Sequence, residues 1–284
     1  MTTLSEVHIT EWCGVNSDNN TISEDQAVSN TTTEQITPAL SVVVPAYNEE
    51  ARIQPSLEYM LKYLDALSQT WEMIVVNDGS SDQTVAKVQS VLSGRPNAKL
   101  LSYCTNRGKG HAVRVGMLHA KGERVLFSDA DLATPIEELS VLSAALDAGA
   151  DIAIGSRDLK GSRLDRRQSI IRELGGKAFN RVVRMLTVPG IHDTQCGFKL
   201  FTRAASQSVF SECKIDNFAF DVEVLYIATK IRNLKIAEIP VRWSHQEGSK
   251  VRFLRDGIRM LMAIKQIRNS HSPNTIRQGV VSPR

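Results

Sequence analysis

The sequence predicts an α/β protein whose central sheet is mostly parallel and flanked by helices. Two observations support this fold class. Short β-branched apolar runs, such as those at 42–44 and 73–76, are typical of strands that are buried on both faces. Segments with the apolar spacing of amphipathic helices follow these runs, and this alternation is the pattern of parallel α/β sheets.

The first half of the chain holds four predicted strands. They lie at 40–44, 73–76, 98–102 and 125–127. Helices are predicted after the first three, at 49–67, 83–93 and 111–120. Pro45 ends the first strand in this prediction, because proline has no N–H group for the ladder. Gly79 permits a tight turn after the second strand.

The second half begins with a strand at 150–155 and ends with a helix at 251–268. Between them the sequence predicts a polar loop that enters an apolar strand, a helix at 217–230 and a strand at 234–241. Two stretches, 165–187 and 251–268, combine arginine and lysine with apolar residues at helical spacing. This pattern is consistent with a solvated helix face and with contact to an anionic surface.

Composition indicates one folded domain with polar ends. Residues 1–37 are rich in Thr, Ser, Asn, Asp and Glu and are predicted to be a disordered leader. Residues 38–268 are the predicted domain, and 269–284 a flexible tail. No stretch approaches the roughly 18 consecutive apolar residues of a membrane span. The net charge of +3 is too small to indicate a nucleic-acid partner. Four scattered cysteines argue against a zinc site or a disulfide framework, and fit a reducing compartment.

Polar and charged residues cluster where the predicted strands end. They are Tyr47 and Glu49 after the first strand, Asp78 after the second, Arg107 and Lys109 after the third, and Asp129 and Asp131 after the fourth. Ligands of open α/β sheets bind at the carboxyl ends of the strands, so these residues mark the predicted site. Asp129 and Asp131 are two residues apart in extended chain, so both carboxylates can face one point. Hard oxygen ligands suit Mg²⁺ or Mn²⁺, metals often shared with substrate phosphates.

Several enzyme classes lack their signature in this chain. There is no G-x-x-x-x-G-K-[ST] phosphate loop, no G-x-G-x-x-G after the first strand and no G-x-S-x-G nucleophile elbow. His111 and His119 are too far apart for a metal-binding pair on one helix. A metal and diphosphate site without a dinucleotide signature remains.

Four motifs in order resemble the inverting family 2 glycosyltransferases, which have the GT-A fold. They are Val-Val-Pro-Ala-Tyr-Asn-Glu (43–49), Val-Asn-Asp-Gly-Ser-Ser-Asp (76–82), Asn-Arg-Gly-Lys-Gly (106–110) and Asp-Ala-Asp (129–131). Later blocks resemble the dolichyl-phosphate β-glucosyltransferases. These are Gly-Ser-Arg (155–157), Asp-Thr-Gln-Cys-Gly-Phe-Lys-Leu-Phe (193–201), Ala-Phe-Asp-Val-Glu (219–223) and Glu-Gly-Ser-Lys (247–250). The resemblance implies one Rossmann-like domain that transfers glucose from UDP-glucose to a polyprenyl phosphate by metal-assisted single displacement.

The resemblance also implies roles on the donor side. The implied nucleotide-sugar site comprises Pro45, Tyr47, Glu49, Asp78, Arg107, Lys109 and Asp129. Asp131, together with Asp129, is the implied ligand of Mg²⁺ or Mn²⁺. A divalent cation stabilises the negative charge that develops on the departing nucleoside diphosphate. For Arg107, phosphate binding and a structural ion pair both stay open.

On the acceptor side, a lipid phosphate is already an anion, so it needs cations to hold it rather than a general base. The predicted cations are Arg157, Arg172 and Lys250. Asp193 is the predicted base or orienting group if the acceptor is a hydroxyl, and Gln195 a predicted sugar contact. Both residues are also consistent with bracing their loop. The predicted catalytic set is Asp129, Asp131, Asp193 and Arg157.

An acceptor that lies in a bilayer implies a peripheral protein at the cytoplasmic face of a membrane. In this hypothesis, 165–187 and 251–268 lie against the membrane surface, where each basic residue contributes up to about 1 kcal/mol of attraction. Other interpretations stay open. The donor can be GDP-mannose, the acceptor can be a hydroxyl on a glycan or small molecule, or the chain can bind nucleotide sugars without turnover. A nucleotidyltransferase would normally carry a Gly-rich basic loop after the first strand, which 46–51 lacks.

Overall fold

A computed structural model describes residues 9–11, 37–164, 188–244 and 253–271. Its main sheet contains β1 (Ile9–Glu11), β2 (Leu40–Ala46), β3 (Trp71–Asp78), β4 (Ala98–Tyr103), β5 (Arg124–Ser128), β6 (Ile152–Ser156), β8 (Phe198–Thr202) and β9 (Ile236–Pro240). Two short strands, β7 (Arg163–Leu164) and β10 (Arg242–Trp243), pair in parallel beside it. The order in the main sheet is β1-β4-β3-β2-β5-β8-β6-β9.

The sheet is parallel except at β8, which runs antiparallel to both of its neighbours, β5 and β6. The helices are α1 (Ile53–Asp65), α2 (Thr84–Leu92), α3 (Lys109–His119), α4 (Leu139–Asp147), α5 (Arg203–Phe210), α6 (Phe220–Tyr226) and α7 (Phe253–Ser270). A 3₁₀ turn (Ile136–Glu138) precedes α4, and a π-helical turn (Ile227–Ile231) continues α6. The predicted mostly parallel α/β fold is confirmed.

Alternate residues along each strand face two layers of helices. Val42 and Val44 belong to a buried apolar cluster with α1, α2 and α4. Val43 belongs to a second cluster with α3, α5, α6 and α7. Because helices cover both faces of the sheet, the strand sequences are continuous apolar runs and do not alternate between apolar and polar residues.

Pro45 lies within β2, so the prediction that it ends the strand is wrong. β2 pairs with β3 as far as Ala46, but with β5 only from Leu40 to Val43. At Pro45 the strand has a ladder on one side only, and a proline is tolerated where no N–H is needed for a second ladder.

Residues 9–11 fall within the predicted disordered leader, but they form the strand β1. Ile9 pairs with Leu100 at the open edge of β4. An isoleucine and a threonine in succession suit such an added edge strand. The other residues of the predicted leader, and the basic segment 165–187, lie outside the described residues.

The last part of α7 packs one of its faces against the protein core, while Met262 is 66% exposed. Among the side chains described, Ala263, Ile264 and Ile267 are buried in the core. Just beyond the helix, His271 Nε2 lies 2.9 Å from Glu223 Oε1 and anchors the start of the predicted flexible tail. The apolar face of this part of α7 thus packs against the protein. No helix within the described residues is both long and apolar enough to cross a membrane.

Candidate active site

The loops that follow β2 and β3 are joined by hydrogen bonds at the carboxyl edge of the sheet. The N–H of Asn48 donates to Ser80 Oγ at 3.0 Å, and Asn48 Oδ1 accepts from the N–H of Ser81 at 2.9 Å. Asn48 has a left-handed backbone (φ 51°), which asparagine tolerates well. These bonds fix the backbone that presents Tyr47, whose side chain is 38% exposed.

Arg52 connects Glu49 to Asp131. Its Nε and Nη2 form a fork on the Glu49 carboxylate, with Nη2 at 2.9 Å from Oε1. Its Nη1 lies 3.9 Å from Asp131 Oδ2. The hydrogen bond to Glu49, and then the charges of Glu49 and Asp131, raise the pKa of Arg52. Sequence reasoning missed this residue, although opposite charges three residues apart at a helix start are a recognisable signal.

Asp78 organises the loop before α3 and is only 3% exposed. Its Oδ1 accepts from the Tyr103 hydroxyl and the Arg107 N–H, both at 2.8 Å. Its Oδ2 accepts from Asn106 Nδ2 at 2.8 Å and from the Gly108 N–H at 2.9 Å. Asp78 satisfies N–H groups of the loop that leads into α3, and a negative charge near the start of a helix is favoured by the helix dipole. Asp78 thus braces this loop; its contact with a base or ribose stays a prediction.

Asp129 is held at the end of β5 by Lys109 and Gly197. Lys109, the first residue of α3, places its Nζ 2.6 Å from Asp129 Oδ1. The N–H of Asp129 donates to the carbonyl of Gly197 at 3.0 Å. The Asp129 carboxylate rests on that glycine, where a Cβ atom would stand 2.0 Å from Oδ2. Any side chain at position 197 would therefore displace the carboxylate.

Asp131 lies beside Asp129, and the two side chains are 25% and 29% exposed. Its Oδ1 accepts the Ala133 N–H at 3.1 Å, and Leu132 between them is in the left-handed region (φ 50°). Such strain in a leucine is typical of functional sites. Burial, and then the charge of Asp129, raise the pKa of Asp131. A cation would relieve this repulsion, so the two carboxylates fit a divalent metal.

A buried ion pair, Lys199 and Asp221, lies behind these carboxylates. Lys199 Nζ is 2.5 Å from Asp221 Oδ1 and 2.6 Å from the carbonyl oxygen of Cys196. Burial raises the pKa of Asp221, although Lys199 and Lys109 act in the opposite direction. Burial works to lower the pKa of Lys109, but the carboxylates of Asp129 and Asp221 outweigh it and raise that pKa. Lys199 and Asp221 lie in the motifs 193–201 and 219–223, but the sequence did not identify either as a site residue.

Arg157 and Asp193, predicted as separate catalytic groups, form one ion pair. Arg157 Nε and Nη2 donate to Asp193 Oδ2 and Oδ1 at 2.6 and 2.8 Å, and the Arg157 N–H donates to Oδ2 at 3.0 Å. Asp193 is 1% exposed, and its N–H donates to Glu238 Oε1 at 2.7 Å. Burial alone would raise the pKa of Asp193, but Arg157 outweighs burial and lowers it. This geometry does not suit the predicted role of Asp193 as a general base.

The remaining predicted residues are dispersed. Arg107 is exposed, and the N–H of Gln195 donates to Asp193 Oδ1 at 3.2 Å. Arg172 and Lys250, the other predicted acceptor cations, lie outside the described residues. The structure thus brings together Glu49, Lys109, Asp129 and Asp131, and separately Arg157, Asp193 and Gln195.

The cysteines differ in part from the expectation. Cys104 is disulfide-bonded, whereas Cys196 and Cys213 are buried free thiols. Burial raises the pKa of Cys196 to about 11, so this thiol stays protonated near neutral pH. Sequence spacing alone does not reveal which distant residues meet, so it gave no sign of the disulfide at Cys104.

Residues 41–210, more than half of the chain, match the family described as Glycosyl transferase family 2. The chain belongs to this family. The dolichyl-phosphate beta-glucosyltransferase of Drosophila melanogaster is 41% identical over 225 residues, covering 75% of this chain and 69% of the fly protein. The human protein of that name is 41% identical over 228 residues, covering 76% and 70%. That of Saccharomyces cerevisiae is 36% identical over 254 residues, covering 82% and 75%.

Solved structures of a bacterial glycosyltransferase share the fold. Glucosyl-3-phosphoglycerate synthase from Mycobacterium tuberculosis, in complex with uridine diphosphate, superposes with a TM-score of 0.60 at 19% identity, covering 82% of this chain and 80% of that chain. The same enzyme with Mn²⁺, UDP-glucose and phosphoglyceric acid has the same score, identity and coverage. The predicted GT-A fold and glycosyltransferase class are thus confirmed.

Proposed function

We propose that this family 2 glycosyltransferase transfers glucose from UDP-glucose to a dolichyl-type polyprenyl phosphate, with inversion at the anomeric carbon. The support for the acceptor and the sugar is the similarity, at about 40% identity, to dolichyl-phosphate beta-glucosyltransferases over most of the chain. The observation that carries the reaction chemistry is the pair Asp129 and Asp131 at the carboxyl edge of the sheet.

Asp131 and Asp129 would hold Mg²⁺ or Mn²⁺. Among the described residues there is no group of three or more His, Cys, Asp or Glu that could hold a metal. A bound diphosphate and water would therefore supply the remaining ligands, as is common for Mg²⁺. When bound, the cation supplies positive charge to the departing diphosphate. Lys109 and Arg52 place further positive charge at the same carboxylates.

The donor would lie along the loops after β2, β3 and β4. Pro45, Tyr47 and Glu49 are proposed to line the uridine pocket, on a backbone fixed by the bonds around Asn48. Asp78 would act on this site by shaping the loop that carries Arg107, whose exposed side chain is available to a phosphate. Preorganised contacts of this kind reduce the entropy lost when the donor binds.

The acceptor phosphate would approach from the side of Arg157. An oxygen of that phosphate bonds to the anomeric carbon while the bond from this carbon to the diphosphate oxygen breaks, so no base is required. Arg157 would present the donors that Asp193 leaves free, with Gln195 near the sugar. Arg172 and Lys250 are the other proposed phosphate contacts.

The proposed lipid acceptor supports contact with a membrane surface, and we place the protein at the cytoplasmic face. The proposed contacts are the segments 165–187 and 251–268; in the second, Ala263, Ile264 and Ile267 face inward and Met262 is exposed. Purified protein should co-sediment with vesicles that contain anionic lipid at low salt and be released at high salt. A failure to co-sediment at low salt would refute this contact.

The reaction is tested with radiolabelled UDP-glucose or GDP-mannose, polyprenyl phosphate and Mg²⁺ or Mn²⁺. Label from UDP-glucose should enter the organic extract, and D131A should abolish the transfer. D65A is the control. Asp65 is the last residue of α1 and forms an exposed ion pair with Arg95, outside the site. Lipid-borne mannose would change the donor, and UDP-glucose binding without any lipid product would point to a different acceptor.

A further inference from the structure

The buried pair Lys199–Asp221 has no direct part in the proposed transfer. Lys199 is 1% exposed and Asp221 is 4% exposed. Removing two charges from water costs free energy that their mutual attraction often fails to offset, and well-packed apolar residues can stabilise a fold as well or better. A buried pair beside a reactive site is therefore a candidate for a functional role.

Asp221 lies within electrostatic reach of Lys109. Both ammonium groups lie over one aromatic ring, that of Phe127, with Lys109 Nζ at 5.5 Å and Lys199 Nζ at 5.8 Å from its centroid. Phe220, the neighbour of Asp221, packs edge-on against the same ring at 5.8 Å. After Asp129, Asp221 is the carboxylate that acts most strongly on Lys109. Lys109 thus contacts one carboxylate in the site, that of Asp129, and shares the Phe127 ring with Lys199, the partner of Asp221.

The contact between Lys109 and Asp129 conflicts with a metal at Asp129. At 2.6 Å from Oδ1, the ammonium occupies one of the oxygens that a cation would use. A divalent cation and an ammonium on the same carboxylate repel each other strongly in a partly buried site. This repulsion favours a weaker contact between Lys109 and Asp129 when a metal binds there.

We propose that Asp221 is a positioning residue that receives the charge of Lys109 when a divalent cation takes Asp129. Lys199 holds Asp221 in place, so the second partner stays at a fixed position. The exchange moves an ion pair and neither makes nor breaks a covalent bond. This inference rests on the proposed function, because it requires a metal-bound nucleotide at Asp129 and Asp131.

The test measures Mn²⁺ affinity on the full chain with saturating UDP, by the electron paramagnetic resonance signal of free Mn²⁺. D221N should weaken Mn²⁺ binding at least about fivefold, because Lys109 then has no second carboxylate and competes for Asp129. E72Q is the matched control. Glu72 is also a buried carboxylate, 3.3 Å from Lys99, but it lies at the start of β3, at the opposite edge of the sheet. Its substitution should change Mn²⁺ affinity less than about twofold.

A double-mutant cycle separates this exchange from a simple loss of negative charge near the metal. In a K109M background, D221N should change Mn²⁺ affinity less than about twofold, because the competing ammonium is absent. An equal loss of affinity in both backgrounds would show that Asp221 acts through space, and would overturn the proposal. No loss in the wild-type background would overturn it as well.

Folding of each variant is checked by its thermal midpoint. If D221N does not fold, K199M/D221N replaces it, since removing both charges avoids leaving one of them unpaired in the interior. The same losses of affinity are then expected. A wild-type chain that binds neither Mn²⁺ nor UDP would overturn the proposed function together with this inference. A wild-type chain that binds both, with unchanged affinity in the variant, would overturn the inference alone.

Discussion

Two carboxylates of this protein, Asp129 and Asp193, lie in opposite electrostatic settings. Asp129 is 29% exposed at the side chain and, among the described residues, pairs with one ammonium, that of Lys109, at 2.6 Å. Asp193 is 1% exposed and receives two hydrogen bonds from a guanidinium and two from backbone N–H groups, those of Arg157 and Gln195. An open carboxylate can exchange its partner for a metal, whereas an enclosed one can release its partner only at a large cost in free energy. Charge alone therefore does not identify a chemical role; partner number and access to solvent do.

The largest effect is expected where the enclosed pair is broken. D193N leaves the guanidinium of Arg157 without its counter-charge. Removing one partner of a buried pair costs about 3 kcal/mol or more, and we expect a loss of about 3 kcal/mol of unfolding free energy because the side chain of Arg157 is 28% exposed. Urea denaturation measures this loss. D65N is the control, because the pair of Asp65 with Arg95 is exposed and such pairs contribute about 1 kcal/mol at most. Equal urea midpoints for wild type and D193N would contradict the structural role assigned to Asp193.

The pH dependence of the stability difference between wild type and D193N is a second test of the setting of Asp193. The pKa of Asp193 is lower in the folded chain than its ordinary value, which is about 3.9 in an unfolded chain. A lowered pKa stabilises the fold above the unfolded value, and this stability is lost as the pH falls through the folded value. The stability difference between wild type and D193N should thus be constant from about pH 5 to about pH 8 and shrink below about pH 4. A change between about pH 6 and about pH 8 would instead identify Asp193 as a group that titrates near neutrality.

The open carboxylate is tested by G197A. The added methyl group would stand 2.0 Å from Asp129 Oδ2, so the carboxylate must move. A displacement of about 1 Å in a reacting group costs about 100-fold in rate, and we expect a loss of this size in kcat/KM for the transfer of glucose to lipid. G149A is the control. Gly149 lies outside the site, and a Cβ there meets nothing within 4 Å, although its φ of 95° strains an alanine. G149A should therefore lower the thermal midpoint and leave kcat/KM unchanged. Wild-type kcat/KM in G197A would disprove the need for a glycine beneath Asp129.

A smaller effect is expected at Arg52, which pairs with Glu49 and lies near Asp131 on the solvent-exposed side of the site. R52M should raise the KM for UDP-glucose about 3- to 10-fold and change kcat little, because partly exposed ion pairs contribute about 1 kcal/mol. Steady-state kinetics with varied UDP-glucose measures both constants. R95M removes an arginine from an exposed pair outside the site and should leave KM unchanged. A drop in kcat of R52M at constant KM would contradict a role in donor binding.

The features of the site that the sequence predicted correctly depend on short-range geometry. Asp129 and Asp131 could be placed together because they are two residues apart after a buried strand. The shared edge with Glu49, Lys109 and Asp78 followed from the rule that parallel strands end at the same side of the sheet. Both inferences use the chain direction and the period of a strand, which local sequence determines.

The missed features depend on contacts between distant parts of the chain. No local pattern shows that β8 enters the sheet antiparallel between β5 and β6, and that insertion is what brings Gly197 against Asp129. Arg157 and Asp193 are 36 residues apart, so the sequence presented them as two independent groups. Pro45 was misassigned because its tolerance depends on which neighbouring strand extends alongside it.

The five-residue loop 193–197 contacts both the Arg157 side and the Asp129 side of the site. Asp193 holds Arg157, the carbonyl of Cys196 accepts from Lys199, and Gly197 forms the seat of Asp129. A chimaera that imported this loop from another protein would also move Asp129, a proposed metal ligand. The loop therefore couples the proposed acceptor side to the proposed donor side, so a change of acceptor through this loop also requires a matching change at the end of β5.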